Sequence, residues 1–444
     1  MRIELIPSAR RLIRSLRDIG YEFEEAVADI VDNSIEAEST TININLNFDG
    51  EESFLLISDN GVGMTSSQIQ EALRFGSERN YAKDDLGRFG LGLKTASLSQ
   101  CEKLTVSSRK GEERARINSF CWDLEHIELF NRWEILKVSS DCLKDEVRSH
   151  LQNTTGTVVT WEKLGRLMGY RYPDGEHAKK QSISMIEGLK SHLGMVFHKF
   201  LSGEVRNKRI AIYVNNEKVL PWDPFARGES DTQIIPLQNI PIEYDDKSFN
   251  VKIEPFILPP QALFSSPRAH QIAGGPGKWN KQQGFYIYRA NRIIQAGGWC
   301  GLRTSDEHTK LIRMAIYIPL GVDELFKVNV AKKHASLPRD LKLNLMEIIS
   351  PIILMGQARY RESSVQNEVS KSNLNELHEK YQRNEFIKTI LEPLSAPANV
   401  KKNLAKILSE LVEIATSQEV LLLDNLLMKF IEKNKDKNLM ASAN

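Results

Sequence analysis

The chain has 444 residues, 41% of them hydrophobic and 26% charged, with a formal net charge of +1. That length fits two or three domains at about 100–200 residues each. The near-neutral balance excludes a global electrostatic pull toward nucleic acid or an anionic membrane, leaving only local basic patches. Cys101, Cys121, Cys142 and Cys300 are widely spaced with no CxxC pair, which suits packed thiols in a reducing cytosol rather than a zinc site. The opening MRIELIPSARRLIRSL lacks an apolar leader core, and apolar runs such as 352–355 and 420–423 are too short to span a bilayer. The expectation is a cytoplasmic protein with no membrane partner.

Helical spacing of Ala9, Leu12, Ile13 and Leu16, with Ser8 as N-cap, predicts a helix over 9–17. Phe23, Ala26, Val27, Ile30 and Val31 predict a second helix over 22–37 with one buried stripe. The period then changes to two. Ile42, Ile44, Leu46 and Phe48 alternate with polar residues, and Phe54 to Ser58 forms a second strand. Further strands are expected at 103–108, 113–119, 133–138 and 157–161. This order favours an α+β sandwich, a mostly antiparallel sheet with helices on one face. A charged, glycine-containing stretch near 165–180 marks a boundary. Strands return at 209–214, 249–255, 284–289 and 312–318, followed by a helix from Pro338 to about Arg361. The tail, 362–444, carries Leu404, Ile407, Leu408, Leu411 and Val412 at helical spacing, and its charges nearly balance, which suits packing or a partner helix.

Four short segments carry the chemistry. On the second helix, Glu25, Asp29 and Asn33 are spaced i, i+4, i+8 and share one face. A carboxylate one turn before a carboxamide can position a water and help hold Mg²⁺ beside phosphate oxygens. Asp59-Asn60-Gly61-Val62-Gly63-Met64 follows a strand, so Asp59 can accept from an exocyclic amine while the glycines permit close backbone approach. Gly87-Arg88-Phe89-Gly90-Leu91-Gly92-Leu93-Lys94-Thr95-Ala96 leads glycines into a helical segment, where backbone N–H groups can cradle phosphates. It fits neither the P-loop nor the Rossmann pattern. Thr155-Gly156-Thr157 enters a strand. Each segment alone also fits an ordinary turn or solvated helix face.

In this order, within about 160 residues, the set resembles the GHKL superfamily: DNA gyrase, the ninety-kilodalton heat-shock chaperone, sensor histidine kinases, MutL and the MORC proteins. DNS at 32–34 is similar to its N-box, DNGVGM at 59–64 to its adenine motif, GRFGLGLKTA at 87–96 to its phosphate-lid motif, and GT at 156–157 to its last motif. The resemblance implies ATP and Mg²⁺ as cofactors in a Bergerat-type sandwich. Asn33 would ligate the metal. Asp59 would accept from the adenine amine, with Thr157 nearby, and Gly61, Gly63 and Met64 would line the pocket. Gly87, Gly90, Leu91, Gly92 and Leu93 would meet the phosphates at the end of a lid that starts near Gly76. Lys94, grouped with them, reads as an outward or supporting charge rather than a P-loop lysine. Hydrolysing relatives usually place Glu four residues before the N-box Asn. Here that position is Asp29, whose carboxylate is one methylene shorter. A displacement near 1 Å can cost about 10²-fold in rate, so the expectation is slow hydrolysis with Asp29 as base and Glu25 as the weaker candidate.

GFYIYRANR at 284–292, with Ile293, Ile294 and Gly297-Gly298-Trp299, resembles the second, transducer-like domain of MORC- and MutL-like proteins. KVNVAKKHASLP at 327–338 is similar to the segment that presents a lysine to the γ-phosphate, with Lys332 first and Lys333 in reserve. The expected organisation is an ATP-binding domain at 1–170, a transducer-like domain at 180–361 and a helical tail at 362–444. A phosphoacceptor-His helix, a topoisomerase cleavage domain and a C-terminal nuclease motif are not found. The resemblance leaves an ATP-gated homodimer, either a DNA-associated clamp in genome maintenance or phage defence, or a chaperone-like switch that holds a nuclease or another effector through its C-terminal helices. A nucleotide-binding protein with little hydrolysis is the third reading.

Overall fold

The computed structural model describes residues 7–18, 20–76, 92–111, 116–206, 208–327, 336–382, and the isolated residues 403 and 406; in the long C-terminal helix, side chains are described to residue 361. The chain divides into two compact units, Met1–Gly356 and Gln357–Asn444. The first begins with α1 (Ala9–Arg17), whose N-cap Ser8 accepts from the Arg11 N–H, and α2 (Phe23–Glu36). Next come β1 (Thr41–Asn47), β2 (Phe54–Asp59), α3 (Ser66–Leu73), α4 (Gly92–Gln100), β3 (Lys103–Arg109), β4 (Asn118–Asp123), α5 (Leu124–Phe130), β5 (Leu136–Lys137), α6 (Asp145–Asn153) and β6 (Gly156–Glu162). Three helices, α7 (Gly165–Met168), α8 (Glu176–Val196) and α9 (His198–Ser202), lead to the hairpin β7 (Ala211–Val214) and β8 (Glu217–Lys218).

These strands form one sheet in the order β5-β4-β3-β6-β2-β1-β7-β8. All pairings are antiparallel except β1 with β7. The hairpin at 211–218 therefore completes the first sheet, although it lies beyond the composition change at 165–180. Central strand β2 is buried at every position. Side chains alternate across a sheet, so this requires cover on both faces. Leu55 and Ile57 join the core beneath α2, α4 and α8, while Phe54 and Leu56 pack with Leu143, Val147, Leu151 and Val158. Val147 and Leu151 belong to α6, which corrects the expectation that helices cover one face only.

The strand expected at 113–119 is found at Asn118–Asp123, where Phe120 and Trp122 point into the first core. The one expected at 133–138 shortens to Leu136–Lys137, an edge strand that among the described residues pairs with β4 alone. Helix α2 also departs from its one-stripe pattern. From Ala26 to Ile35 only Asn33 is not buried, so the polar face is enclosed as well.

A second sheet follows, built from β9 (Gln233–Ile234), β10 (Gln238–Tyr244), β11 (Lys247–Ile257), β12 (Gly284–Arg289), β13 (Arg292–Ala296) and β14 (Ile312–Ile318), with α10 (Pro267–Ala273) and α11 (Lys278–Gln282) between β11 and β12. Its order is β10-β11-β14-β12-β13, with β9 on β11. Between β12 and β13 stand only Ala290 and Asn291, at φ 46° and 69°. Two consecutive left-handed residues make the tight turn that matches strand twist. Ala290 at the tip packs against the first core.

Helix α12 (Arg339–Gln382) follows the second sheet. By length and composition alone its stretch Arg339–Arg361 could cross a membrane. Leu341, Leu345, Ile349 and Ile352 are buried within the first unit. Leu104 on β3 is fully enclosed in the first core. Leu104→Ala should lower unfolding free energy by about 2–5 kcal/mol, read as a reduced urea midpoint with an unchanged m-value.

Candidate active site

The site is assembled around α2. At its start, Glu25 closes a capping box, its carboxylate accepting the Glu22 N–H at 3.2 Å. That geometry commits Glu25 to the helix end. One turn later Asp29 is buried, and its Oδ2 accepts from the Tyr21 hydroxyl at 2.9 Å. The same Oδ2 lies 3.3 Å from where a side chain on Gly92 would begin. Asp29 thus faces the first turn of α4, where the helix dipole favours negative charge. Burial, and then the Asp29 charge, push the Tyr21 phenol up, so it stays a hydrogen-bond donor. Thr95 of α4 also bonds Tyr21, and so links the two helices. Asn33, one turn beyond Asp29, is half-buried.

Asp59 sits at the end of β2 and is held at both carboxylate oxygens. Oδ1 accepts from the Gly61 N–H at 2.9 Å and the Thr157 N–H at 3.3 Å, and Oδ2 accepts from Ser34 Oγ at 3.1 Å. Burial raises the Asp59 carboxyl, and the Gly61, Ser34 and Thr157 donors oppose it. Ser34 is the last residue of the DNS triplet, so it joins α2 to the Asp59–Met64 segment. Ser108 of β3 extends the network: its hydroxyl accepts from the Met64 N–H at 2.8 Å, donates to the Gly156 carbonyl at 2.7 Å and lies 2.9 Å from Thr157 Oγ1. Gly63 has φ +66°, and a Cβ there would lie 2.0 Å from the Arg109 carbonyl. The chain can pass between strands at this point only without a side chain.

Lys94 is 2% exposed and points away from solvent. Its ammonium donates to the carbonyls of Ala72 at 2.9 Å and Arg74 at 2.7 Å, capping the end of α3. Trp122 Nε1 donates to Leu73 O, and Phe75 packs edge-on against Trp122 and Trp133. The chain entering the expected lid is therefore anchored by a cation and three aromatic rings. Leu93 packs on the first core.

The remaining wall comes from the second sheet. Arg292, first residue of β13, reaches Asp29 Oδ1 with Nη2 at 3.6 Å and Asp32 Oδ1 with Nε at 3.0 Å. All three side chains are at most 4% exposed. The shorter contact is an ion pair without hydrogen-bond alignment. The guanidinium stands 5.7 Å from the Phe197 ring centroid. Removing one member of a buried pair costs about 3–5 kcal/mol, because the other is left uncompensated. On the opposite side of the turn, Arg289 clamps Asp323 through Nε at 2.5 Å and Nη2 at 3.2 Å.

Residues 21–157, which carry most of this geometry, match the family model described as histidine kinase-, DNA gyrase B- and HSP90-like ATPase. They form a GHKL-type ATPase domain. No curated protein matches the chain. The matched span ends on Thr157, whose N–H meets Asp59.

Of the sequence-predicted residues, Asp59, Gly61, Gly63, Met64 and Thr157 converge on one network, and Asp29, Asn33, Gly92 and Leu93 lie along α2 and the start of α4. Gly87, Gly90, Leu91, Lys332 and Lys333 fall outside the described residues. Sequence reasoning missed Tyr21, Ser34, Thr95, Ser108 and Arg292. Ser34 and Thr95 stand inside the N-box and phosphate-lid motifs, whereas nothing local marks Tyr21 or Arg292 as neighbours of Asp29.

Burial holds Lys94 down to about 8, against an ordinary 10.5. Between those values the unfolded chain binds more protons than the folded one, so this group makes stability rise with pH across that window. Chemical denaturation from pH 8 to 10.5 should show that rise in wild type and a flatter profile in Lys94→Met.

Proposed function

We propose that the protein is a Mg²⁺-dependent ATPase that acts as an ATP-gated dimeric switch. The observation that carries the reading is the placement of Asp29. Its carboxylate is buried one turn before Asn33 and turned toward the N-terminal turn of α4, with the Asp59 network sealing the other end of the same helix. The donor set fits the nucleotide. Asp59 is an acceptor suited to an exocyclic amine, Gly63 occupies a passage that a Cβ would block, and the α4 terminus suits phosphate. Asn33 offers one neutral oxygen donor, which suits a cation that keeps most of its waters and shares phosphate oxygens. Bound Mg²⁺ would neutralise phosphate charge. Within that frame Asp59 would orient the base, Asn33 would hold the metal, and Asp29 would orient the attacking water and take its proton. Tyr21 keeps Oδ2 directed at the reaction side.

Asp59→Asn presents a donor where the adenine amine needs an acceptor. It should weaken binding of a non-hydrolysable ATP analogue by about 10–100-fold, the scale of a lost hydrogen bond to a charged group in a buried site. Calorimetric titration reads this directly, and undiminished affinity would reject the adenine assignment.

Asp29→Asn should bind the analogue normally and lose about 10²–10⁴-fold in single-turnover hydrolysis, the usual contribution of a positioned base. Hydrolysis at the wild-type rate would remove Asp29 from that role.

The MORC/MutL-like look of 284–299 and 327–338 supports a clamp that closes on ATP and works on DNA. Size-exclusion chromatography with the analogue should convert monomer to dimer, and duplex DNA should stimulate turnover in a strongly salt-dependent way. DNA indifference with ATP-dependent dimerisation would move the reading to a switch acting on a protein partner.

A further inference from the structure

The β12–β13 turn places a cation from the second sheet behind the acid on which hydrolysis is proposed to depend. Asp29 is held at two points. Oδ2 takes the Tyr21 hydroxyl and looks toward Gly92, while Oδ1 looks back toward Arg292. Arg292 itself has little freedom. It follows a two-residue turn with both residues left-handed, its guanidinium is walled by Phe197, and its neighbour across the turn is anchored on Asp323. Tyr21 ahead of α2 and Arg292 on β13 face Asp29; behind them Thr95 on α4 bonds Tyr21, Asp32 shares Arg292, and His192 of α8 lies in the field of Arg292.

We propose that Arg292 is a positioning residue for ATP hydrolysis, fixing the Asp29 carboxylate with Oδ2 toward the reacting water and tying that orientation to the second sheet. The inference rests on the reading of Asp29 as base. Asp is one methylene shorter than Glu, so its carboxylate has less reach with which to correct a poor angle. A guanidinium that sets one oxygen selects which edge of the carboxylate faces the phosphate side. Any shift of the β12–β13 hairpin relative to α2 would then change the rate without touching the nucleotide.

The test compares full-length wild type, Asp29→Asn, Arg292→Gln, Arg292→Lys and the double variant Asp29→Asn/Arg292→Gln. Three readouts are taken: single-turnover hydrolysis, analogue affinity by calorimetry and melting temperature without nucleotide. Arg292→Gln should keep analogue affinity and lose about 10²-fold in rate, the cost of misplacing a reacting group by about 1 Å. Arg292→Lys keeps charge without the planar fork and should recover part of that loss. In the Asp29→Asn background, Arg292→Gln should have no further effect on rate, because residues acting through one another are not additive. Multiplying rate losses in the double variant, or affinity and rate falling together, would make Arg292 a structural strut and overturn the proposal. The proposal also falls if Arg292→Gln hydrolyses like wild type while Asp29→Asn is slow. Wild-type hydrolysis by Asp29→Asn would instead overturn the base assignment beneath it. Should Arg292→Gln melt below the assay temperature, Arg292→Lys decides alone: unchanged affinity with a reduced rate supports positioning, and an unchanged rate rejects it.

Discussion

The structure depends on enclosing a charged helix. Helix α2 carries Asp29 and Asp32 into the interior, and β2 delivers Asp59 beside them. Buried carboxylates are tolerated only with fixed donors or cations, since isolated charge in a low-dielectric interior is prohibitively costly. Each of these acids has such partners. Asp59 takes two backbone N–H groups and a serine hydroxyl. Asp29 takes a phenol and shares a guanidinium with Asp32. The compensation comes from widely separated stretches of chain, so the site forms only when the sheet, α4 and the second-sheet hairpin are all in place.

That dependence explains what could and could not be read from the residues. The α+β class, the period-2 strand at 42–48 and the strands at 284–289 and 312–318 were legible because each is a local pattern. Motif order was legible for the same reason: Asp59 ends a strand, Gly63 needs a left-handed backbone, and Gly92 opens a helix. The helical cover on the outer face was not. Helix α6 buries only Val147 and Leu151 against Phe54, Leu56 and Val158, too thin a stripe to announce itself. The enclosure of Asp29 was hidden too. An i, i+4, i+8 polar row normally means a solvated face, and here Tyr21, the start of α4 and the distant β12–β13 turn enclose it. Arg292 stands at the start of β13 with nothing to mark its pairing with Asp29 and Asp32, because a contact across more than two hundred residues leaves no trace in local spacing.

Lys94 shows how a motif position can acquire a different duty. A lysine next to a glycine run that opens a helix invites assignment to phosphates. Here its ammonium serves the last carbonyls of α3, and α3 leads directly into the segment expected to cover the nucleotide. Two elements that flank this segment are thereby joined at their bases. The charge fixes the chain at the C-terminal end of α3.

The two-residue turn between β12 and β13 sets Arg289 and Arg292 side by side, one gripping Asp323 and the other facing the acids of α2. A turn of this kind has no slack. One inserted residue would shift the register by a step, and alternation would send the Arg292 side chain to the opposite face of its strand. The surroundings of two buried acids on α2 are thus exposed to changes in loop length at a hairpin more than two hundred residues away in the chain.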